Sequence, residues 1–77
     1  MPRRLKLSPL QRDIMMTLEE AGAETIGTVT ATVKHSDPSE FTRSVDGLVS
    51  LGLVRREEFA GTVELVLTDE GKAALTA

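Results

Sequence analysis

Six consecutive positions carry most of the side chains in this chain that could engage a partner: Ser39, Glu40, Thr42, Arg43 and Ser44, with Phe41 between them. Arg43 brings a planar fork of donors that matches the paired acceptors of a guanine edge or a phosphate. The short hydroxyls of Ser39, Thr42 and Ser44 permit close approach, and Glu40 adds an acceptor. Arg43 has a second option, because Glu40 and Asp46 lie three residues away on either side and side chains at that spacing are helix neighbours. Arg55 and Arg56 follow a little further on, and Thr28 and Thr30 precede the group. Arg3, Arg4 and Lys6 form a basic start, read either as a solvated tail or as an arm that touches phosphates. This is chemistry of contact, not of bond breaking. The chain has one histidine, His35, and no cysteine, and its carboxylates fall in pairs such as Glu19-Glu20, Glu57-Glu58 and Asp69-Glu70. Nothing converges as a catalytic set would, so no enzyme, no metal and no cofactor is expected.

The elements that must position these residues are well marked. Asp37-Pro38-Ser39-Glu40 is a helix start: an N-cap, a proline at the first helical position, and a glutamate placed to close a capping box. Phe41, Val45, Leu48 and Val49 recur at helical spacing, and Gly52 can take the left-handed conformation that ends a helix. The spacing predicts a helix over 38–51. Its opposite face holds Ser39, Glu40, Arg43, Ser44 and Gly47, small and polar enough to enter a groove.

The same start signal occurs earlier as Ser8-Pro9-Leu10-Gln11, followed by Leu10, Ile14 and Leu18 in steps of four and stopped by Gly22. Met15 flanks that stripe and Met16 falls off it, which makes the pair, or Leu75 near the C-terminus, a candidate subunit contact. Residues 23–25 read as a connector or a single bridge. Residues 26–33 are rich in β-branched residues, which favours a strand, yet Ile26, Val29 and Val33 fit a helix face, so a short helix capped by Thr25 is expected. A hairpin is expected over 53–67: Val63, Leu65 and Leu67 alternate with Thr62, Glu64 and Val66, and Ala60-Gly61 supplies the turn. Because neighbours on a strand point to opposite faces, at most one of Arg55 and Arg56 faces a common partner with the helix. Thr68 caps a last helix.

With 77 residues the chain is read as one domain, residues 1–77, with residues 1–7 as an arm. A chain of this size buries only about 60% of its unfolded surface, so association with a second copy would add stability. The net charge of −3 opposes binding to nucleic acid by bulk electrostatics, so any such binding depends on where the cations lie. No apolar run suits a membrane span or a signal peptide, and a cytoplasmic protein is expected. The element order defines an α+β, mainly α, winged helix-turn-helix: a three-helix core, a two-stranded wing and a C-terminal helix. In such a domain the helix over 38–51 is the recognition helix that enters the major groove.

Three pieces of sequence carry a family resemblance. Thr42-Arg43-Ser44-Val45-Asp46-Gly47-Leu48, then Gly52-Leu53-Val54-Arg55-Arg56, then Leu67-Thr68-Asp69-Glu70-Gly71 resemble the core of the MarR (multiple-antibiotic-resistance-regulator) transcription factors. The resemblance spans about residues 8–76 and implies a sequence-specific, DNA-binding transcriptional regulator that works as a homodimer on double-stranded DNA. It implies base contacts from Ser39, Glu40 and Arg43, with Thr28, Thr42, Arg55 and Arg56 on the backbone and Ser44 close by. It leaves open whether a small-molecule effector exists. Two features depart from the family: its members are about twice as long and dimerise through additional terminal helices, and their wing carries an arginine near its tip. Here the tip is Glu58-Phe59-Ala60-Gly61-Thr62. An acidic wing with an aromatic tip suits the alternative reading, a winged-helix module that binds protein and not DNA.

Overall fold

The fold is described from a computed structural model covering residues 6–33 and 37–76. Helix α1 spans Pro9–Ala21. Its capping box closes as expected: the Gln11 N–H donates to Ser8 Oγ at 3.1 Å and the Ser8 N–H donates to Gln11 Oε1 at 3.0 Å. Gly22, at φ +86°, ends it by donating to the Leu18 carbonyl at 2.8 Å. Leu10, Ile14, Met15 and Leu18 are buried. Met15 is 0% exposed and is therefore core, not a subunit contact, whereas Met16 is 49% exposed. Leu7, expected in the arm, packs against the core; residues 1–5 and His35 lie outside the described residues.

Of the two readings of 23–25, connector or bridge, the sheet reading holds: Ala23–Thr25 forms a strand, β1. It pairs with a strand much later in the chain over three residues where a single bridge was expected, and the sheet therefore has three strands. Helix α2 spans Ile26–Thr32, with Thr25 capping it by accepting from the Thr28 N–H at 3.2 Å. Its β-branched residues are overruled by packing, because the helical turn delivers Val29 and the following Val33 into the core.

Helix α3 spans Pro38–Ser50. Asp37 caps it by accepting from the Ser39 N–H at 2.9 Å, and the reciprocal bond from Glu40 is not among those made by the described residues. The helix stops one residue short of the expected end, in a Schellman turn: Gly52, at φ +76°, donates to the Val49 carbonyl and Leu53 donates to the Leu48 carbonyl, both at 3.0 Å. Leu53 and Leu48, the two residues joined by the second of these bonds, are both buried.

Strands β2, Val54–Phe59, and β3, Thr62–Leu67, form the antiparallel wing, and β1 completes the sheet in the order β1-β3-β2. Val54 pairs with Leu67, Arg56 with Leu65 and Glu58 with Val63, so these six share the face that covers the core. Arg55, Glu57 and Phe59 share the other. The turn has positive φ at both central residues, +52° at Ala60 and +80° at Gly61, as in a type I′ hairpin. Ala60 pays for its Cβ in this region by about 1 kcal/mol. Ala60→Asn is expected to raise the thermal midpoint by a few degrees, read by circular dichroism, with the wing register unchanged.

Helix α4 spans Asp69–Thr76 and opens with Asp69 and Glu70 at its positive end. Thr68 ties it to the end of α3. Its hydroxyl accepts from the Gly71 N–H at 3.0 Å and donates to the Gly52 carbonyl at 2.6 Å, and its own N–H donates to the Leu53 carbonyl at 3.1 Å. The core between these layers is aliphatic apart from Phe41.

Candidate nucleic-acid interface

α3 crosses the molecule with its apolar stripe inward, Phe41, Val45 and Leu48 being buried. Residues at steps of three and four from Ser39 must then lie outward together. They are Ser39, Thr42, Arg43, Asp46 and Ser50, and all five are exposed. Glu40 is exposed as well. Ser44 and Gly47 are not part of this open face. Both are half-buried beside α1, where Gln11 Nε2 donates to the Ser44 carbonyl at 3.5 Å and a Cβ at position 47 would lie 2.9 Å from the same nitrogen. The smallness of Gly47 serves helix packing, and Ser44 is drawn to the flank, with its main chain engaged. Gln11 therefore does two jobs: it closes the cap of α1 and it touches α3.

The Arg43 side chain makes no ion pair or hydrogen bond with any other described residue. Asp46, one of its two expected partners, is instead engaged by Arg56 Nη2. The two wing arginines thus part company as strand alternation requires. Arg56 lies on the face that meets α3, and Arg55 lies on the outer face, where its Nε sits 3.2 Å from Glu57 Oε2. The sequence singled out Arg56 but not Asp46, although Asp46 falls at the helical spacing of Ser39, Thr42 and Arg43.

Thr28 is exposed at the start of α2, where its Oγ1 accepts from Thr25 Oγ1 at 2.9 Å. Thr30 is turned inward, donating to the Ile26 carbonyl at 2.7 Å. The wing tip is as acidic in space as in sequence: Glu57 and Glu64 face each other across the ladder, Glu58 lies beside them in β2, and Phe59 is 74% exposed. Among the described residues no three histidine, cysteine, aspartate or glutamate side chains group as a metal site, and no helix is long and apolar enough to cross a membrane.

Two helices in a helix-turn-helix arrangement, α2 and α3, with a hairpin wing after the second, define the winged helix-turn-helix class. Within that class the chain resembles the winged-helix domains of MarR-family regulators. It superposes with a TM-score of 0.77 on a MarR-family transcriptional regulator from Silicibacter pomeroyi, at 32% identity over 91% of this chain and 48% of that one. A MepR-like protein solved with pseudoligands gives 0.79 at 30% identity, over 91% and 51%. YusO from Bacillus subtilis gives 0.75 at 25% identity over the same shares. The chain spans about half the length of these structures. No protein-family model matches it, and no curated protein sequence does.

Proposed function

We propose that this chain is the sequence-specific DNA-binding part of a transcriptional regulator that works on double-stranded DNA as a homodimer in the cytoplasm. The observation that carries the reading is the open outward face of α3, where Ser39, Glu40, Thr42 and Arg43 are exposed together and Arg43 has no ionic partner among the described residues. The likeness to a MarR-family transcriptional regulator supports it. In this reading α3 lies in the major groove, Arg43 takes a guanine edge or a phosphate, and Arg56 and Thr28 lie toward the backbone. Arg55, on the outer sheet face beside Glu57, contributes less. Ser44 acts through its place on the flank of α3. Two such domains in a dimer read half-sites about 34 Å apart.

The test is an NMR titration of labelled protein with a generic DNA duplex at low salt, repeated at higher salt. Amide shifts are expected to gather on residues 38–46 and 54–57 and to shrink as salt rises, because phosphate contacts release counterions. If those amides stay still at low salt, where even non-specific binding registers, the DNA reading is lost. The acidic wing with its exposed Phe59 then becomes the surface to examine for a protein partner.

A further inference from the structure

The Asp46–Arg56 pair joins the recognition helix to the wing, and its position poses a problem. Asp46 stands in the middle of the outward face of α3, between the turn that carries Thr42 and Arg43 and the turn that carries Ser50. A carboxylate there repels phosphates. Left alone it would also pair with Arg43, three residues earlier on the same face. Arg56 prevents both. It reaches over from β2 with Nη2 on Asp46 Oδ1, and the two side chains stay 41% and 54% exposed. An exposed ion pair adds little to folding, so its consequence lies in orientation. A guanidinium has five donors, and the contact with Asp46 engages Nη2 of a side chain that stays part-exposed at the base of the wing, so donors remain for a phosphate.

We propose that Asp46 is a positioning residue for DNA binding: it holds the Arg56 guanidinium toward a phosphate, while Arg56 in turn keeps Asp46 off Arg43. The inference rests on the DNA-binding reading above and deepens it. The pair works as a reciprocal brace. Take away Asp46, and Arg56 loses its orientation, so the phosphate contact is made at an entropic cost. Take away Arg56, and Asp46 is released to mask Arg43, so two cationic contacts weaken together.

The proposal fixes the sign of each effect, which bulk electrostatics alone would not give. Asp46→Ala removes a negative charge from a DNA-facing surface, and charge alone predicts tighter binding. The brace predicts the reverse when Arg56 is present, and tighter binding when it is absent. The experiment is a double-mutant cycle with Asp46→Ala, Arg56→Ala and the double variant. Affinity for a generic duplex is measured by fluorescence anisotropy across a salt series, with circular dichroism melts as the folding control. Asp46→Ala is expected to bind several-fold more weakly than wild type, with the slope of log K against log salt smaller by up to about 0.9, the value of one phosphate contact. Arg56→Ala is expected to bind most weakly of all, and adding Asp46→Ala to it is expected to recover affinity. Asp46→Asn, which keeps an acceptor oxygen in place, is expected to fall between Asp46→Ala and wild type. It also carries the test should the alanine variant melt early. Binding by Asp46→Ala as tight as wild type, or tighter, overturns the brace while the DNA reading stands. A wild-type protein that binds no duplex at low salt removes the DNA reading itself, and the brace with it.

Discussion

Gly71→Ala is expected to strip this domain of much of its stability. Gly71 is buried in the first turn of α4, and a Cβ built on it would run into the Leu53 carbonyl oxygen, with Leu67 Cδ1 at 2.7 Å and the Leu53 carbonyl carbon at 3.1 Å. The obstacle is main chain. It cannot swing aside as a side chain would, because the Leu53 carbonyl accepts from Thr68 at 3.1 Å and the Leu53 N–H is spent on the Schellman turn. Relief requires α4 to shift away from the end of α3, which strains the two hydrogen bonds of the Thr68 hydroxyl. Alanine favours a helix over glycine by up to about 1 kcal/mol. Overpacking against a fixed neighbour costs about 1–3 kcal/mol and sometimes more, and here it wins. A domain of this length holds roughly 4–12 kcal/mol in total, so the loss is a large share. A net loss of about 2 kcal/mol, at about 4–8 °C for each in a small domain, lowers the melting midpoint by about 8–16 °C. Gly27→Ala is the control. The same methyl is added to a helix, nothing lies within 4 Å of it, and the midpoint should hold or rise slightly.

This argument explains part of the family resemblance. Gly52-Leu53 and Thr68 to Gly71 are one joint seen twice in the sequence: the turn that ends α3 is the surface on which α4 is built. These motifs hold the start of α4 against the end of α3 and the entry to the wing. Their spacing was legible because each half has a local rule behind it, a left-handed glycine in one and an N-cap in the other. The capped starts of α1 and α3 were legible for the same reason, as was the hairpin with its two-residue turn.

What the sequence hid was non-local. β1 is three residues long, too short for any alternation to show, and it exists because β3 offers it an edge. α2, by contrast, was legible, because the helical spacing of Ile26, Val29 and Val33 outweighs the strand preference of its β-branched residues and places Val29 and Val33 in the core. Ser44 and Gly47 look alike for a groove and for a helix contact, both of which want small side chains. Only the position of Gln11 decides between them. The Asp46–Arg56 pair spans a helix end, a turn and the start of a strand, and no periodicity reports on such a path. Residue type picks out the outward face of α3, and packing that the local pattern does not contain adds Asp46 to that face and takes Ser44 and Gly47 from it.

Arg43→Ala is expected to cut DNA binding sharply while sparing the fold. The side chain is exposed, its helix position suits alanine, and it has no ionic partner among the described residues to leave behind. The melting midpoint should therefore be unchanged or slightly higher. The arginine is also the sole cation on the outward face of α3. Loss of a good bidentate base contact costs about 1–3 kcal/mol, roughly 5- to 150-fold in affinity, and it relaxes preference at one base pair. Loss of a phosphate contact instead weakens all sequences alike and lowers the salt slope by about 0.9. The two outcomes separate if wild type and variant are each used to select from a random duplex library, and affinities for the selected and a generic duplex are then compared. Arg43→Lys sharpens the distinction: lysine is a point charge that can hold a phosphate but lacks the planar fork for a guanine. If Arg43 reads a base, lysine should restore binding to the generic duplex and leave the selected site weakened. If it holds a phosphate, lysine should restore both. An Arg43→Ala variant that binds and selects like wild type would show that α3 does not present this face to DNA.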